Sequence, residues 1–375
     1  MQINSWPYVI LILFYLVLSV FEYKRIIGKK RIRIISAITF IFFWGFRGYI
    51  GSDWFQYLPF YQNLSNYNPL DTRIEVGFYT LCFLFKKIGF NFLDLIFFLT
   101  VLNVSLLDNF FKEKKSNISL VYASVIVFFP IAIIDTLRNF LSICLFLQAL
   151  KFYETRKKTA YLFLFIAITV HSSAILFLPI FLFLNKNYFS KRKIIFFFSF
   201  GMVIYFSEIQ YIKPFISFLG NLLGGRYSQL VSAYLSSDVY GVSYGIKLGI
   251  LEKLFFGLIV IYNYSYITLN KVVPPYIFNS FFIFIFIYLY LNELDVFINR
   301  LTILFFYAYV TIVSSFHFLI KKRKYRFSVF SVITVLLLLK AYISFNVDIY
   351  KYSNTLFFNE SLRERETNLY MHYSK

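Results

Sequence analysis

Residues 43–61 read FWGFRGYIGSDWFQYLPFY, and three side chains in this stretch, Arg47, Asp53 and Tyr57, offer chemistry that their apolar neighbours do not. An arginine or aspartate at the centre of a bilayer costs roughly 2.5–3.5 kcal/mol on insertion scales, so charged groups set into apolar sequence need a purpose. The same reasoning singles out Glu75, Asp135, Arg138, His171 and Arg300, each within or at the edge of a hydrophobic run. Arginine presents a rigid fork of donors that matches phosphate oxygens, so converging arginines suit a diphosphate ligand. Such a site stabilises a departing pyrophosphate. Carboxylates and His171 are the available general bases, and Arg226 and Tyr227, in a polar stretch further along, are additional candidates. Each residue also has a plainer explanation. Arg47 can snorkel or pair with Asp53, Asp53 can cap a helix starting at Trp54, and Glu75 can pair with Arg73. Arg138 can pair with Asp135, His171 can serve helix packing, and Arg300 can anchor beside Glu293 and Asp295.

The elements that carry these residues follow from composition. With 59% hydrophobic residues, 15% charged residues and a mean hydropathy of +0.67 over 375 residues, the chain is too apolar for a soluble globular domain. Apolar runs of about 17 to 25 residues recur along it, which predicts an all-α polytopic integral membrane protein. The expected architecture is a single transmembrane domain over residues 1–375, a bundle of about 11 to 13 hydrophobic helices, some short or broken. The net charge of +20 resides mostly in short Lys and Arg clusters between the apolar runs, as the positive-inside rule requires. The lipid bilayer is therefore the expected partner, and nucleic acid is not. Cys82 and Cys144 lie in apolar segments without metal-ligand spacing, so neither a disulfide nor a zinc site is expected, and no cofactor is.

Charge clusters also predict the topology. The run 6–23 is followed by Lys24, Arg25, Lys29, Lys30, Arg31 and Arg33, which makes it a retained helix with its N-terminus outside. The run 34–46 returns outward, so residues 51–75 form an outer loop, and 75–88 is short enough for a partial or interfacial helix. A span over 92–111 leads inward to Lys112, Lys114 and Lys115, and runs 118–134 and 140–153 form a hairpin with its tip at 135–138. The run 160–184 is interrupted at His171, Ser172 and Ser173 and reads as two short helices meeting there. After 194–206 comes the largest outer loop, 208–245, and then runs 254–267, 277–291, 301–320 and 327–345. Arg47, Asp53, Glu75, Asp135, Arg138, His171 and Arg300 all fall on the outer half in this topology.

Arg47, Gly51, Asp53 and Tyr57 as R-x-x-x-G-x-D-x-x-x-Y, Glu75 and Gly77 as E-x-G, Arg138 opening a hydrophobic helix, and His171-Ser-Ser-Ala ahead of another resemble the EpsG-like, Wzy-type polysaccharide polymerases. The resemblance is strongest from 45 to 173 and extends to Arg300. It implies a GT-C-like, multi-pass enzyme of the bacterial cytoplasmic membrane that joins polyprenyl-diphosphate-linked oligosaccharide repeat units at the outer face. The product would be O-antigen, capsule or exopolysaccharide, made without a metal or cofactor, with a chain-length regulator and a flippase as partners. It also implies catalytic roles for Asp53, His171 and Arg138, and substrate binding by Arg47, Tyr57, Glu75 and Arg300; Arg226, in the large outer loop that the resemblance does not cover, is a further substrate-binding candidate from its residue type alone. An O-antigen ligase or sugar acyltransferase is the alternative within enzymes, and a lipid-linked oligosaccharide flippase the alternative outside them.

Overall fold

A computed structural model describes residues 4–69, 74–183, 187–225, 229, 248–293, 295–357 and 360–373. The described chain is helical, with one isolated β-bridge and no strand, in two compact units. The first comprises Met1–Phe181, Val313–Ser315 and Arg326–Lys375, the second Leu182–Ile312 and Phe316–Tyr325.

In the first unit α1 (Trp6–Tyr23) begins with Pro7 in its first turn, where a missing N–H costs nothing. Helix α2 (Lys29–Phe40) begins five residues before the expected run, because Lys and Arg are good helix formers even though they do not belong in lipid. It continues as one turn of π-helix, Ile41–Gly45, immediately ahead of Arg47. The expected outer loop 51–75 contains α3 (Trp54–Asn63), and α4 (Val76–Ile88) follows. At 13 residues α4 extends about 20 Å, short of the roughly 30 Å hydrocarbon core, as expected for a partial helix. Helix α5 (Phe92–Phe111) opens with a capping box between Asn91 and Asp94.

The run 118–134 is divided into α6 (Ile118–Phe128) and α7 (Pro130–Ile134), since Pro130 has no N–H to continue the ladder and pushes Phe129 out of the helical region. Helices α8 (Leu137–Phe152) and α9 (Lys157–Val170) then pack together. Helix α9 stops at His171, which is extended at φ −153° and ψ 121°, and a 3-10 segment, Ser172–Phe177, leads into α10 (Leu178–Phe183). The break expected at His171 is present.

Glycine 77 explains how α4 and α9 come together. A Cβ there would lie 2.8 Å from the backbone carbon and oxygen of Thr169, which cannot move aside as a side chain could. Gly77→Ala is therefore expected to destabilise the fold by about 1–3 kcal/mol through overpacking. The check is the thermal unfolding midpoint in detergent or nanodiscs; an unchanged midpoint would contradict the close approach.

The second unit contains α11 (Lys191–Phe206), α12 (Ile212–Leu223), α13 (Leu248–Tyr262), α14 (Tyr264–Leu269), α15 (Pro275–Tyr290), α16 (Asp295–Thr302) and α18 (Phe316–Leu319); α17 (Phe306–Ser314) belongs to it up to Ile312, and Val313–Ser315 belong to the first unit. Helices α11 and α15 run parallel: Phe189 N–H donates to Asn279 Oδ1 at 2.8 Å at one end, and Tyr290 hydroxyl to the Phe197 carbonyl at 2.8 Å at the other. Helix α13 runs against them, with Gly257 on Phe198 and Tyr264 hydroxyl on the Phe189 carbonyl. The outer loop expected over 208–245 contains α12, and most of its remainder lies outside the described residues.

The chain ends with α19 (Lys324–Ser344) and α20 (Leu362–Tyr373), the segment between them packing on the first unit. Helices α1, α5 and α19 are long and apolar enough to cross a membrane, which fits the all-α membrane protein expected from composition.

Within the first unit one group of basic side chains, from α2, α8 and the segment after α5, lies together at one end, while Lys86 Nζ donates to the Gln62 carbonyl in α3. Lys29 Nζ donates to the Lys114 carbonyl at 3.5 Å, Arg33 Nε to Asp108 Oδ1 at 2.9 Å, and Lys151 lies 2.8 Å from Glu113. Helices α3 and α7, the start of α8 and the end of α9 occupy the other end.

Candidate active site

Arg138 stands in the first turn of α8. Its Nε donates to the Tyr57 hydroxyl at 2.6 Å, its Nη1 pairs with Glu75 Oε2, and its guanidinium lies 5.4 Å from the centre of the Tyr57 ring. The other oxygen of Glu75, Oε1, meets His171 Nδ1 at 2.8 Å and accepts from the Ser172 N–H and hydroxyl, each at 3.0 Å. Ser173 hydroxyl adds a 3.4 Å contact to Asn139 Oδ1. Four separate segments thus meet: α3 supplies Tyr57, the residue before α4 supplies Glu75, α8 supplies Arg138, and the break after α9 supplies His171 and Ser172. The break has a local purpose, because an extended His171 turns its ring and the following N–H groups toward one carboxylate.

Electrostatics fix the protonation states. Burial alone would raise the Glu75 pKa, but the Ser172 N–H, Arg138 and His171 outweigh it and hold the carboxyl at about 2. Its pKa lies below the ordinary value of 4.5, so the stability it contributes is complete above about pH 4.5 and is lost as pH falls toward 2. Ionised and engaged at both oxygens, Glu75 is an orienting group. Burial pushes Tyr57 up to about 12, which keeps its hydroxyl protonated at neutral pH. A carboxylate on Nδ1 places the proton of a neutral imidazole there and makes Nε2 the basic nitrogen.

Behind this cluster is a second node. Asp135 Oδ1 accepts from Ser52 N–H at 2.6 Å, Ser52 hydroxyl at 3.2 Å and Asp53 N–H at 3.2 Å, while Oδ2 accepts from Tyr350 hydroxyl at 3.2 Å. Gly51 permits this approach: its φ is +84°, and a Cβ would sit 2.3 Å from Asp135 Oδ1. Arg47 is only 3% exposed and donates from Nη1 to the Ile133 carbonyl at 2.5 Å and from Nη2 to the Ile134 carbonyl at 3.3 Å. These are the last carbonyls of α7, where a cation also complements the helix dipole. The tail closes around the same loop, with Arg47 bridged to Asn354, Gly48 N–H donating to the Ser353 carbonyl at 3.0 Å, and Gly51 N–H to the Ile349 carbonyl at 2.9 Å.

Four of the expected site residues, Tyr57, Glu75, Arg138 and His171, are therefore directly connected. Asp53 stands at the N-cap of α3, and its backbone N–H, not a side-chain cap bond, ties it to Asp135. Arg47 is spent on α7. Arg300 is exposed on α16 in the second unit, and Arg226, Tyr227 and Arg73 lie outside the described residues. The plainer pairing of Arg138 with Asp135 gives way to Glu75, and the Glu293 carboxylate serves the N–H groups of residues 211–213. Ser52, Asn139 and the tail at 349–355 were not singled out as site-forming in the sequence. The polar and aromatic run NVDIYKYSN at 346–354 was the available signal for the tail. Among the described residues, no three His, Cys, Asp or Glu side chains group as a metal site.

No curated protein and no solved structure matches the chain. The EpsG family matches residues 30–355, from the start of α2 through the tail segment that closes on Arg47, and thus takes in every residue of both nodes. By that match, over most of its length, this membrane protein belongs to the EpsG family.

Proposed function

We propose that the chain is a polysaccharide polymerase that transfers a polyprenyl-diphosphate-linked glycan onto a lipid-linked repeat unit at the outer face of the cytoplasmic membrane, in a GT-C-like bundle. The observation that carries this reading is the single carboxylate, Glu75, joining an arginine suited to diphosphate with an imidazole poised as a base. The cluster lies at the end of its unit opposite Lys29, Arg33 and Lys151, which supports an outward-facing site under the positive-inside rule. Family membership supports the same activity.

In the proposed reaction an acceptor hydroxyl attacks the anomeric carbon of the donor glycan. The new glycosidic C–O bond forms as the bond to the diphosphate oxygen breaks. His171 Nε2 takes the hydroxyl proton. The bonding electrons leave with polyprenyl diphosphate, whose charge Arg138 stabilises. Glu75 and Tyr57 hold Arg138 and the imidazole in place, Asp53 meets the acceptor, and Arg47 acts from behind by fixing the α7–α8 junction. Arg300 and Arg226 are proposed to bind glycan or diphosphate.

The test is a deletion strain analysed for lipid-linked glycans. Single repeat units on the outer leaflet, with polymer restored by the intact chain, are expected. Polymer that forms but stays unattached would indicate a ligase instead, and repeat units retained on the inner leaflet a flippase.

A further inference from the structure

Helix α12 has an apolar stripe turned away from the rest of its unit. Phe215, Phe218, Leu219 and Leu222, at the i, i+3, i+4, i+7 spacing of one helix face, are 59, 61, 39 and 69% exposed, whereas Gly220 on the opposite side is buried. The helix is firmly held despite this. The Glu293 carboxylate, 1% exposed, accepts from the N–H groups of Tyr211 and Ile212 through Oε1, at 2.6 and 2.8 Å, and from Lys213 through Oε2 at 2.8 Å. Tyr211 hydroxyl donates to the Tyr290 carbonyl at the end of α15. An acidic partner thus satisfies the N-terminal donors and leaves the outward stripe unaffected.

The neighbouring surface identifies what the stripe meets. Helix α11 presents Phe196, Phe200, Val203 and Phe206 outward, each about half exposed or more, the surface a membrane helix offers to acyl chains. Only residues 207–211 separate the end of α11 from α12, and five residues reach at most about 17 Å. Helix α12 therefore begins within about 17 Å of the end of α11. It carries Lys213 and no acidic residue, which suits anionic headgroups. It also lies at the end of the unit away from Lys191, Arg192, Lys193 and Lys271, because α11 and α15 run parallel toward Tyr211 and Glu293.

We propose that α12 is an interfacial anchor, lying along the bilayer surface with Phe215, Phe218, Leu219 and Leu222 among the acyl chains. The proposal is independent of the polymerase reading. It is tested on the full chain in nanodiscs of phosphatidylethanolamine and phosphatidylglycerol, with Phe218→Cys, Leu222→Cys and Asn221→Cys spin-labelled one at a time. Cys82 and Cys144 are buried and do not compete for label. Labels at 218 and 222 are expected to be relaxed several-fold more by oxygen than by an aqueous nickel chelate, and the label at 221 less so. Stronger relaxation by nickel at 218 and 222 would place the stripe in water and overturn the proposal. Relaxation by neither reagent would overturn it too, by showing the stripe covered by protein.

Discussion

Replacing Arg138 by Ala is expected to abolish detectable polymer, with a rate loss of roughly 100- to 1000-fold, the scale on which one preorganised donor at a developing charge contributes. Arg138 has five N–H donors and spends two on Tyr57 and Glu75, so it is rigidly held and still able to meet phosphate oxygens. The Arg138 and Glu75 side chains are 21% and 17% exposed, so some solvent screening remains and the stability loss should be modest, about 1–3 kcal/mol. Arg138→Lys is expected to fail nearly as completely, because one ammonium cannot reproduce a fork that holds a phenol, a carboxylate and a phosphate together. Surface-polysaccharide ladders alongside immunoblots of membrane protein separate loss of function from loss of protein. Ladders of normal length from Arg138→Ala would remove this residue from the site.

Glu75→Gln should lower the polymerisation rate by about 100-fold or more, within the range set by general acid–base catalysis, although Gln keeps the size of Glu and can still accept from Ser172. The loss has two sources: the amide no longer neutralises Arg138, and it no longer favours the imidazole tautomer that presents Nε2. The pH dependence distinguishes this from simple unfolding. Glu75 is held at about 2 and remains charged throughout the working range, so an acid limb between pH 5 and 8 belongs to a different group. Removing the charge that lies 2.8 Å from His171 Nδ1 should change the pH profile of the rate as well as its plateau. A Glu75→Gln profile superimposable on the wild type, apart from a lower plateau, would deny Glu75 its role beside His171.

Local features were legible in the sequence and distant pairings were not. Helices α1 and α5 fall where apolar runs are bounded by charge or turns, and the interruption of α9 at His171 was visible because three polar residues sit inside an apolar run. Membrane insertion imposes strong one-dimensional patterning, which explains that success. The pairing of Glu75 with Arg138 spans 63 residues and that of Glu75 with His171 spans 96, separations that no local pattern encodes. Arg47 illustrates the other limit. Its cost in an apolar setting was evident, but whether phosphate or carbonyls repay that cost depends on where α7 ends, 86 positions further along the chain at the Ile133 carbonyl. The tail residues that close on residues 46–51 were invisible for the same reason, their partners lying some 300 positions earlier.

The most direct measurement is polymerisation by the purified full-length protein in nanodiscs, supplied with a synthetic polyprenyl-diphosphate-linked repeat unit as both donor and acceptor. If the cluster of Tyr57, Glu75, Arg138 and His171 is the transfer site, the wild type yields a ladder and releases polyprenyl diphosphate. Arg138→Ala and His171→Ala, with unfolding midpoints near the wild type, should then yield neither product at more than about one hundredth of that rate. Ladders formed at the wild-type rate by both variants would place the chemistry elsewhere in the chain.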